Sequence, residues 1–272
     1  MTARQANATS FNPNGLDLTR VARYERLVDA PLERVWENVL DWEHLPHLHE
    51  TSFDFVELDS GGDWGWRTWS DAEHSGYVEL CVADSRCYVA RTYQADAQVT
   101  EIWTTLEARD AQTAITVEFH LADVEPASKD ALGDMMLGLY TRLWDEDEAM
   151  MRERQHRLHE SRSPHEQLAL GQRDELVARL AGGEQIIFQL KKREFQLRLH
   201  NNELLVHSTI CPHLLGPLTD ADLSTGRLRC PWHGYEFDLA SGRCINPEHA
   251  SCALPGAAEL LLEQGELIAR VG

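Results

Sequence analysis

Residues 211–238 read CPHLLGPLTDADLSTGRLRCPWHGYEFD and twice bring a cysteine and a histidine close together. The first segment is Cys211-Pro-His213 and the second is Cys230-Pro-Trp-His233. Thiolates and imidazoles are common ligands of transition metals in proteins. Four such side chains on two segments predict a metal centre that holds two loops together, and this centre decides the fold of the C-terminal part of the chain.

The order of the four residues distinguishes two kinds of metal site. Zinc fingers usually place two cysteines on one segment and two histidines on the other. Here each segment supplies one thiolate and one imidazole, which favours a [2Fe–2S] cluster in which two cysteines bind one iron and two histidines bind the other. The glycines and prolines of HLLGP and PWHGY are typical of tight loops that surround a cluster with backbone N–H groups.

These two segments resemble the two arms of a Rieske iron–sulfur domain. The resemblance covers residues 172–272, including the strand-like runs IIFQL, FQLRLH and ELLVHST and the closing hairpin LLLEQGELIARVG. It implies that the cluster is bound by Cys211, His213, Cys230 and His233. Respiratory Rieske proteins carry one additional cysteine in each arm, paired as a disulfide, where this chain has Gly216 and Trp232. The domain therefore resembles the low-potential ferredoxin or oxygenase type.

The preceding residues predict a domain of another kind. A strand (VARYERLVD) comes before a helix at 31–45, for which Asp29 and Pro31 are start signals. Strand-like runs follow, separated by turn signals such as DSGGD and EARDAQ, and a long helix at about 128–158 closes the pattern. This order, together with DAPLERVWENVLDWEHLP, resembles the START-like (SRPBCC) helix-grip fold, which encloses a cavity between its sheet and its last helix.

The predicted fold class is therefore α+β, with two domains. A START-like helix-grip domain, an antiparallel sheet with a long C-terminal helix, occupies residues 1–160. A linker occupies residues 161–171, and an all-β Rieske domain occupies residues 172–272.

A second group of candidate metal ligands lies in the stretch ENVLDWEHLPHLH. Asp41, His44 and His49 have the spacing D-x2-H-x4-H, and two imidazoles with one carboxylate form the facial triad that binds non-haem Fe(II). His44 and His49 would not share a face of a regular helix, but Pro46 interrupts that helix and lets the chain turn. His47 lies between the two histidines and is an alternative ligand.

The closing helix offers the carboxylate of this triad. Its apolar stripe contains Leu132, Met136, Leu139, Tyr140, Leu143 and Met151. At about 100° per residue, Asp147 falls inside the stripe, whereas Asp145 and Glu148 fall outside it. A buried carboxylate is costly unless it is paired or binds a metal. Asp147 is therefore the candidate third ligand, the alternative being a solvated acid on a charged helix end.

The pattern E-N-x2-D-x2-H-x4-H, followed by an aspartate in EDEAMMRERQ, resembles the catalytic domain of Rieske non-haem iron oxygenases. The resemblance implies that His44, His49 and Asp147 bind a mononuclear Fe(II). It also implies a catalytic role for Asp41, which would link an iron-binding histidine to a cluster-binding histidine of a neighbouring subunit in a homotrimer. Family members usually place the Rieske domain first and have a longer catalytic domain, so this chain departs from the family in both respects.

Composition limits the partners of the chain. The formal net charge of −20 argues against nucleic acid or an anionic membrane surface as a partner. The N-terminal residues lack the basic-then-apolar order of a secretory signal, and no apolar run is long enough to span a membrane. Six cysteines in such a chain predict a reducing, cytoplasmic location without a disulfide framework.

Three functions agree with these patterns. The first is a Rieske-type oxygenase that oxidises a small organic substrate with O2, by hydroxylation or demethylation, with electrons from an NAD(P)H-linked flavin reductase or a ferredoxin. A separate donor is expected because no G-x-G-x-x-G nucleotide motif is present. The second is a START-like ligand-binding module fused to an electron-transfer or redox-sensing Rieske domain, without a third iron. The third is a START-like cyclase or hydratase whose Rieske domain is structural.

Overall fold

The protein is represented by a computed structural model, which describes residues 10–160, 163–221, 223, 225–248 and 250–271. The chain divides into two compact units, Met1–Gln155 and His156–Gly272. Each unit contains its own cluster of buried hydrophobic side chains. The mixed α+β class predicted from the sequence is confirmed.

The first unit is built on a seven-stranded antiparallel sheet. Its strands are β1 (Leu18–Val28), β2 (Glu57–Gly62), β3 (Gly65–Trp69), β4 (Gly76–Asp84), β5 (Cys87–Gln94), β6 (Ala97–Arg109) and β7 (Gln112–Ala122). The order in the sheet is β1-β7-β6-β5-β4-β3-β2, so β2 to β7 form a continuous meander and β1 closes against β7. The turn between β6 and β7 lies within the predicted segment EARDAQ, where Asp110 has a positive φ of 54°. In contrast, most of the predicted turn DSGGD lies inside β2, where a bulge after Leu58 accommodates it.

Three helices accompany this sheet: α1 (Leu32–Leu40), α2 (Leu45–Leu48) and α3 (Lys129–His159). The helix predicted at about 128–158 is confirmed by α3. The single helix predicted at 31–45 is wrong, because α1 ends at Leu40 and the extended residue Asp41 separates it from α2. Pro46 lies in the first turn of α2, where its missing N–H has no intrahelical partner to lose. None of the described helices combines the length and the apolar character needed to cross a membrane.

The core of this unit lies between one face of the sheet and helices α1 and α3. Along β7 alternate residues are buried, as expected for a strand with one covered face, and Val117 and Phe119 have no exposed surface. They share a core with Val35 of α1 and with Met136 and Trp144 of α3. Burying one such side chain contributes about 1.5–3 kcal/mol, so this contact holds α3 against the sheet.

The described residues of the second unit form three small antiparallel sheets and one short helix. The strands are β8 (Gln167–Gln172), β9 (Ile186–Leu190), β10 (Arg193–His200), β11 (Glu203–Ser208), β12 (Arg227–Arg229), β13 (Glu236–Asp238), β14 (Cys244–Asn246), β15 (Glu259–Glu263) and β16 (Glu266–Arg270). They form the sheets β11-β10-β9, β12-β13-β14 and β15-β16-β8, and helix α4 (Arg173–Ala181) follows β8.

The sequence predicted part of this unit. The runs predicted as strands are β9, β10 and β11, and the closing hairpin is β15–β16. Sequence reasoning did not predict α4, and it placed residues 167–171 in the linker. These residues lie in β8, whose backbone pairs with β16. Because β8 is short, mostly exposed and paired with a distant strand, its own sequence gives little sign of the pairing.

Candidate metal centres

The two Cys-His segments form loops of the same backbone design. In the first, the N–H of Cys211 donates to the carbonyl of Gly216 at 2.9 Å, and the N–H of Leu215 donates to the carbonyl of Cys211 at 3.1 Å. The second repeats both bonds, from Cys230 to Tyr235 and from Gly234 to Cys230, at 2.8 and 2.9 Å. Each cysteine therefore begins a closed turn of six residues, and the fifth residue of each turn has a positive φ, 65° at Leu215 and 66° at Gly234.

The loops approach each other so closely that Gly216 has no room for a side chain. A Cβ built on Gly216 would lie 2.6 Å from the Sγ of Cys230 and 3.1 Å from the ring of Trp232. Gly216 and Trp232 are the two places where the resemblance puts the additional cysteines of respiratory Rieske proteins. None of the six cysteines, all of which lie among the described residues, forms a disulfide.

The four predicted cluster ligands meet between these loops. Cys211 and Cys230 are buried, and their thiols are close enough to share a hydrogen bond. This bond, assisted by His233 and opposed by burial, lowers the pKa of Cys230, while the same bond and burial raise the pKa of Cys211. A thiolate is the form of cysteine that binds metals.

The two histidines also lie side by side. The ring centroids of His213 and His233 are 4.6 Å apart, and His213 stacks on Tyr235 at 4.4 Å with an interplanar angle of 6°. The donor set of two adjacent thiols and two adjacent imidazoles fits a [2Fe–2S] cluster with Cys2His2 ligation. The close approach of the loops at Gly216 agrees with this arrangement. The assignment of these four residues as ligands remains a prediction.

A second centre lies in the first unit, where α2 approaches α3. His44 immediately precedes α2 and His49 immediately follows it. At His49 the backbone leaves the helical conformation, with φ −105° and ψ 36°, so its ring turns toward His44, with the centroids 5.1 Å apart and the planes at 72°. This change of backbone conformation around α2, and not a kink at Pro46 within one longer helix, brings the two rings together.

Asp147 of α3 completes this centre. Its Oδ1 lies 3.0 Å from Nε2 of His49 and 3.4 Å from Nε2 of His44. One ligand atom from each of the three side chains lies within 4.8 Å of the others, and all three residues are buried. Ligands about 2.1 Å from one metal and at right angles to each other are about 3 Å apart, so this set fits a facial triad.

The apolar stripe of the closing helix predicted which acidic residue of α3 points inward. Asp147 is buried, whereas Asp145 has 61% of its side chain exposed. Glu148 is largely covered, but it faces away from the centre and pairs with Arg26, which also contacts Asp145. His47, the alternative ligand, is partly exposed and does not belong to the described group of three.

The charges of this centre stabilise one another. Burial lowers the pKa of His44, but hydrogen bonds and charges from Asp147 and Asp41 outweigh it and raise that pKa to about 9. For His49, burial is likewise opposed by Asp147 and then by Glu146, and its pKa is raised. Burial raises the pKa of Asp147, but the two histidines reverse this effect and the pKa is lowered.

Three further polar side chains surround the group. The amide of Asn38 in α1 donates to Oδ1 of Asp147 at 2.9 Å, and Oε2 of Glu146 lies 2.6 Å from Nδ1 of His49. Neither Asn38 nor Glu146 was among the site residues predicted from the sequence. The position of Asn38 within the E-N-x2-D pattern was the available signal for the first, whereas Glu146 had none beyond its acidic neighbours. Asp41 Oδ2 lies 3.7 Å from Nδ1 of His44, and its predicted role between subunits remains a prediction.

The centre lies in the lining of a cavity of about 140 Å³ between the sheet and the helices. Its walls are mainly apolar and are formed by Asn38, Val39, Asp41, His44, Leu45, His49, Phe53, Trp66, Val78, Leu80, Tyr88, Ala90, Tyr140, Leu143, Trp144 and Asp147. The indole N–H of Trp66 donates to the carbonyl of Val39 at 3.0 Å, which fixes the wall beside α1. An apolar cavity with a few polar groups at one end is a typical small-molecule site.

Comparison with known proteins identifies the two units at the level of domain families. Residues 163–260 match the family model described as "Rieske [2Fe-2S] domain". Residues 29–146 match the model described as "Activator of Hsp90 ATPase homolog 1-like protein". The chain therefore contains a Rieske [2Fe–2S] domain preceded by an AHSA1/START-like domain.

Particular relatives share shorter parts of the chain. Over 48 residues the chain is 46% identical to "Dicamba O-demethylase, oxygenase component" of Stenotrophomonas maltophilia, a match that covers 18% of this chain and 14% of that protein. Among solved structures, Ara h 8.0201 covers 51% of this chain over 99% of its own length, with 14% identity and a TM-score of 0.39. The ferredoxin of carbazole 1,9a-dioxygenase from Nocardioides aromaticivorans IC177 covers 40% of this chain over 98% of its length, with 19% identity and a TM-score of 0.30.

Proposed function

We propose that this chain is the oxygenase component of a Rieske-type system that oxidises a small organic substrate with O2, by hydroxylation or demethylation. Its [2Fe–2S] cluster would be bound by Cys211, His213, Cys230 and His233. Its mononuclear Fe(II) would be bound by His44, His49 and Asp147. Together the two metal groups would supply the electrons and the activation of O2 that the oxidation requires.

The observation that carries this proposal is the convergence of two imidazoles and one carboxylate at the end of an apolar cavity. A buried carboxylate is costly without a partner, and this one lies where two imidazole nitrogens point at the same space. A chain with a Rieske domain has a use for such a site, because a cluster can deliver single electrons to it.

The residues around the centre would orient its ligands and exclude water. Asn38 donates to Oδ1 of Asp147 and holds that carboxylate toward the histidines. Glu146 accepts from Nδ1 of His49, so the Nε2 lone pair of this ring is free to face the metal. The apolar cavity would bind the substrate and lower the local dielectric.

The partners of the proposed enzyme follow from the same assignment. Electrons would come from an NAD(P)H-linked flavin reductase or a ferredoxin, and O2 and a small organic molecule would be the substrates. In a homotrimer, Asp41 would connect His44 of one subunit to a cluster-binding histidine of the next. The catalytic domain would comprise residues 1–160 and the electron-carrying domain residues 172–272.

The test is the iron and acid-labile sulfide content per chain, measured on protein purified anaerobically and supplied with Fe(II). About three irons and two sulfides are expected for the unaltered chain, and about two irons with unchanged sulfide for the His44→Ala/His49→Ala variant. The matched control is His47→Ala, which should keep about three irons.

Two results would contradict the proposal. A content of only two irons per chain in the unaltered protein would show that the mononuclear site does not bind iron. Loss of iron in His47→Ala, but not in the double variant, would assign the site to a different histidine. Asp147→Ala adds a functional readout, because it should abolish oxidation while leaving the visible spectrum of the cluster intact.

A ligand-binding module fused to a redox Rieske domain is the second candidate function, and one observation favours it. Asp147 already accepts a hydrogen bond from Asn38 and contacts His49 at 3.0 Å, so its burial is compensated by protein groups alone. The same iron analysis separates the candidates, since the module would contain only the two irons of its cluster.

A further inference from the structure

Tyr140 lies on the face of α3 that lines the cavity, together with Leu143, Trp144 and Asp147. Its ring packs edge-on against Phe119, with centroids 4.6 Å apart and planes at 80°, so the orientation of the phenol is fixed. Among the described residues, none forms a hydrogen bond with this phenol. Tyr140 is only partly covered, and it is one of the residues that line the cavity.

A phenol in an apolar cavity needs a hydrogen-bond partner from water or from a ligand, because leaving it unpaired would cost about 1–3 kcal/mol. Phenylalanine would fill the same space without that need. The phenol of Tyr88 also borders the cavity, but Tyr88 is buried and lies beside the side chain of Thr104. Tyr140 keeps more accessible surface and is therefore the cavity phenol better placed to meet a ligand.

The size of the cavity limits that ligand. An apolar cavity of about 150 Å³ accommodates benzene, and pockets for drug-sized molecules begin at about 300 Å³. At about 140 Å³, the cavity holds a body about the size of one benzene ring, and because it is not closed on all sides a small substituent can extend beyond it.

The charges of the cavity limit the ligand further. Its sixteen lining residues include Asp41 and Asp147 but no lysine or arginine. An anionic ligand would lose its hydration in an apolar space and meet two carboxylates, and the imidazoles of His44 and His49 already face those carboxylates. The group that accepts the hydrogen bond of Tyr140 must therefore be neutral, such as a carbonyl or an ether oxygen.

The position of Tyr140 also orients the ligand. Tyr140 and Asp147 are seven residues apart on α3, so they lie on nearly the same face and about 10 Å apart along the helix axis. A ligand whose polar end is held at Tyr140 would direct its opposite, apolar end toward His44, His49 and Asp147.

We propose that Tyr140 is a specificity-determining residue, whose phenol donates a hydrogen bond to the neutral acceptor of a small, otherwise apolar ligand and thereby presents the far end of that ligand to the metal centre. This inference deepens the proposed function, because the ligand would be the substrate of the same site. The ligand must therefore have a benzene-sized apolar body, one neutral hydrogen-bond acceptor and no negative charge.

The experiment compares two probes of nearly the same shape, acetophenone with its carbonyl and α-methylstyrene with a methylene group in its place. Binding is measured by isothermal titration calorimetry on the full chain, anaerobically and without reductant, so that no probe is consumed. Tyr140→Phe should weaken acetophenone about 5- to 10-fold and change α-methylstyrene less than about twofold. Tyr93→Phe, on a tyrosine that does not line the cavity and stacks on Tyr77, is the matched control and should keep the affinity of the unaltered chain for both probes. Tyr88→Phe tests the second phenol of the cavity, and benzoate should not bind.

Several outcomes would overturn the inference. One is that Tyr140→Phe weakens both probes equally, and another is that only Tyr88→Phe loses affinity for the carbonyl probe. The inference also fails if benzoate binds as tightly as acetophenone, or if neither neutral probe binds at millimolar concentration. A melting temperature of Tyr140→Phe at or above that of the unaltered chain excludes a folding defect as the cause. The result is independent of the iron analysis: three irons without probe discrimination would leave the oxygenase intact and refute the role of Tyr140, whereas discrimination with two irons would keep the binding role and refute the oxygenase.

Discussion

Glu146 lies one position before Asp147 on α3, and its Oε2 is 2.6 Å from the His49 nitrogen that points away from Asp147. A carboxylate on the far nitrogen of a metal-binding imidazole fixes its tautomer and raises its basicity, and removing it usually weakens metal binding 10- to 100-fold. Glu146→Ala is therefore expected to weaken Fe(II) binding at the mononuclear site by about 10-fold or more, measured by anaerobic titration against a competing chelator.

The control for this residue-scale prediction is Asp145→Ala on the same turn of α3. Asp145 is exposed and contacts Arg26, so its loss should leave Fe(II) affinity within about twofold. Equal affinity in Glu146→Ala and the unaltered chain would show that the contact is an incidental surface interaction.

At the scale of elements, cluster binding depends on how closely the two Cys-His loops approach each other. Gly216→Ala places a Cβ within 2.6 Å of the Sγ of Cys230 and against the ring of Trp232, and neither neighbour can retreat easily because both lie in a closed turn. We expect this variant to lose most of its acid-labile sulfide and its visible absorption. Gly256→Ala is the matched control, since Gly256 has nothing within 4 Å and should retain the full cluster. A fully loaded Gly216→Ala protein would mean that the loops are further apart in solution.

At the scale of the whole molecule, the charges of the second centre predict how stability depends on pH when iron is withheld. The pKa of His44 is about 9 in the folded chain against an ordinary value of 6.5. Because the folded state binds this proton more tightly, its stabilisation is complete below pH 6.5 and is lost as pH rises through 9. The difference between these two pKa values corresponds to a contribution of roughly 3 kcal/mol to the free energy of unfolding. Asp147 acts in the opposite direction, because its lowered pKa contributes stability that is lost as pH falls below about 4.

This dependence is checked by urea unfolding at a series of pH values with a chelator present. The free energy of unfolding should fall between pH 6.5 and 9 in the unaltered chain. His44→Gln should reduce that slope because glutamine does not titrate, and His49, whose pKa is also raised, accounts for part of the remainder. The same slope in both proteins would assign the effect to other groups.

Local patterns were sufficient for several features of this protein. The order Cys-x-His and Cys-x-x-His predicted the Rieske domain, because the two ligands of each loop lie within four residues of each other and their types and spacing can be read directly. Helical periodicity was enough to predict α3 and the inward position of Asp147, because one turn of a helix relates neighbours that are close in sequence. The helix at 31–45 was wrong because its apolar spacing continues past Leu40, and only the extended backbone of Asp41 shows the interruption.

The sequence by itself determined the two domain types, their order, the cysteines and histidines available for a cluster, and the spacing of His44 and His49. The tertiary structure alone decided that Asn38 and Glu146 surround Asp147 and His49, that Gly216 faces Cys230, and that Tyr140 presents its phenol to a cavity. The physical reason is separation along the chain. Asn38 and Asp147 lie on different helices, and their contact depends on how α1 and α3 pack on the sheet, which no local pattern of residues specifies.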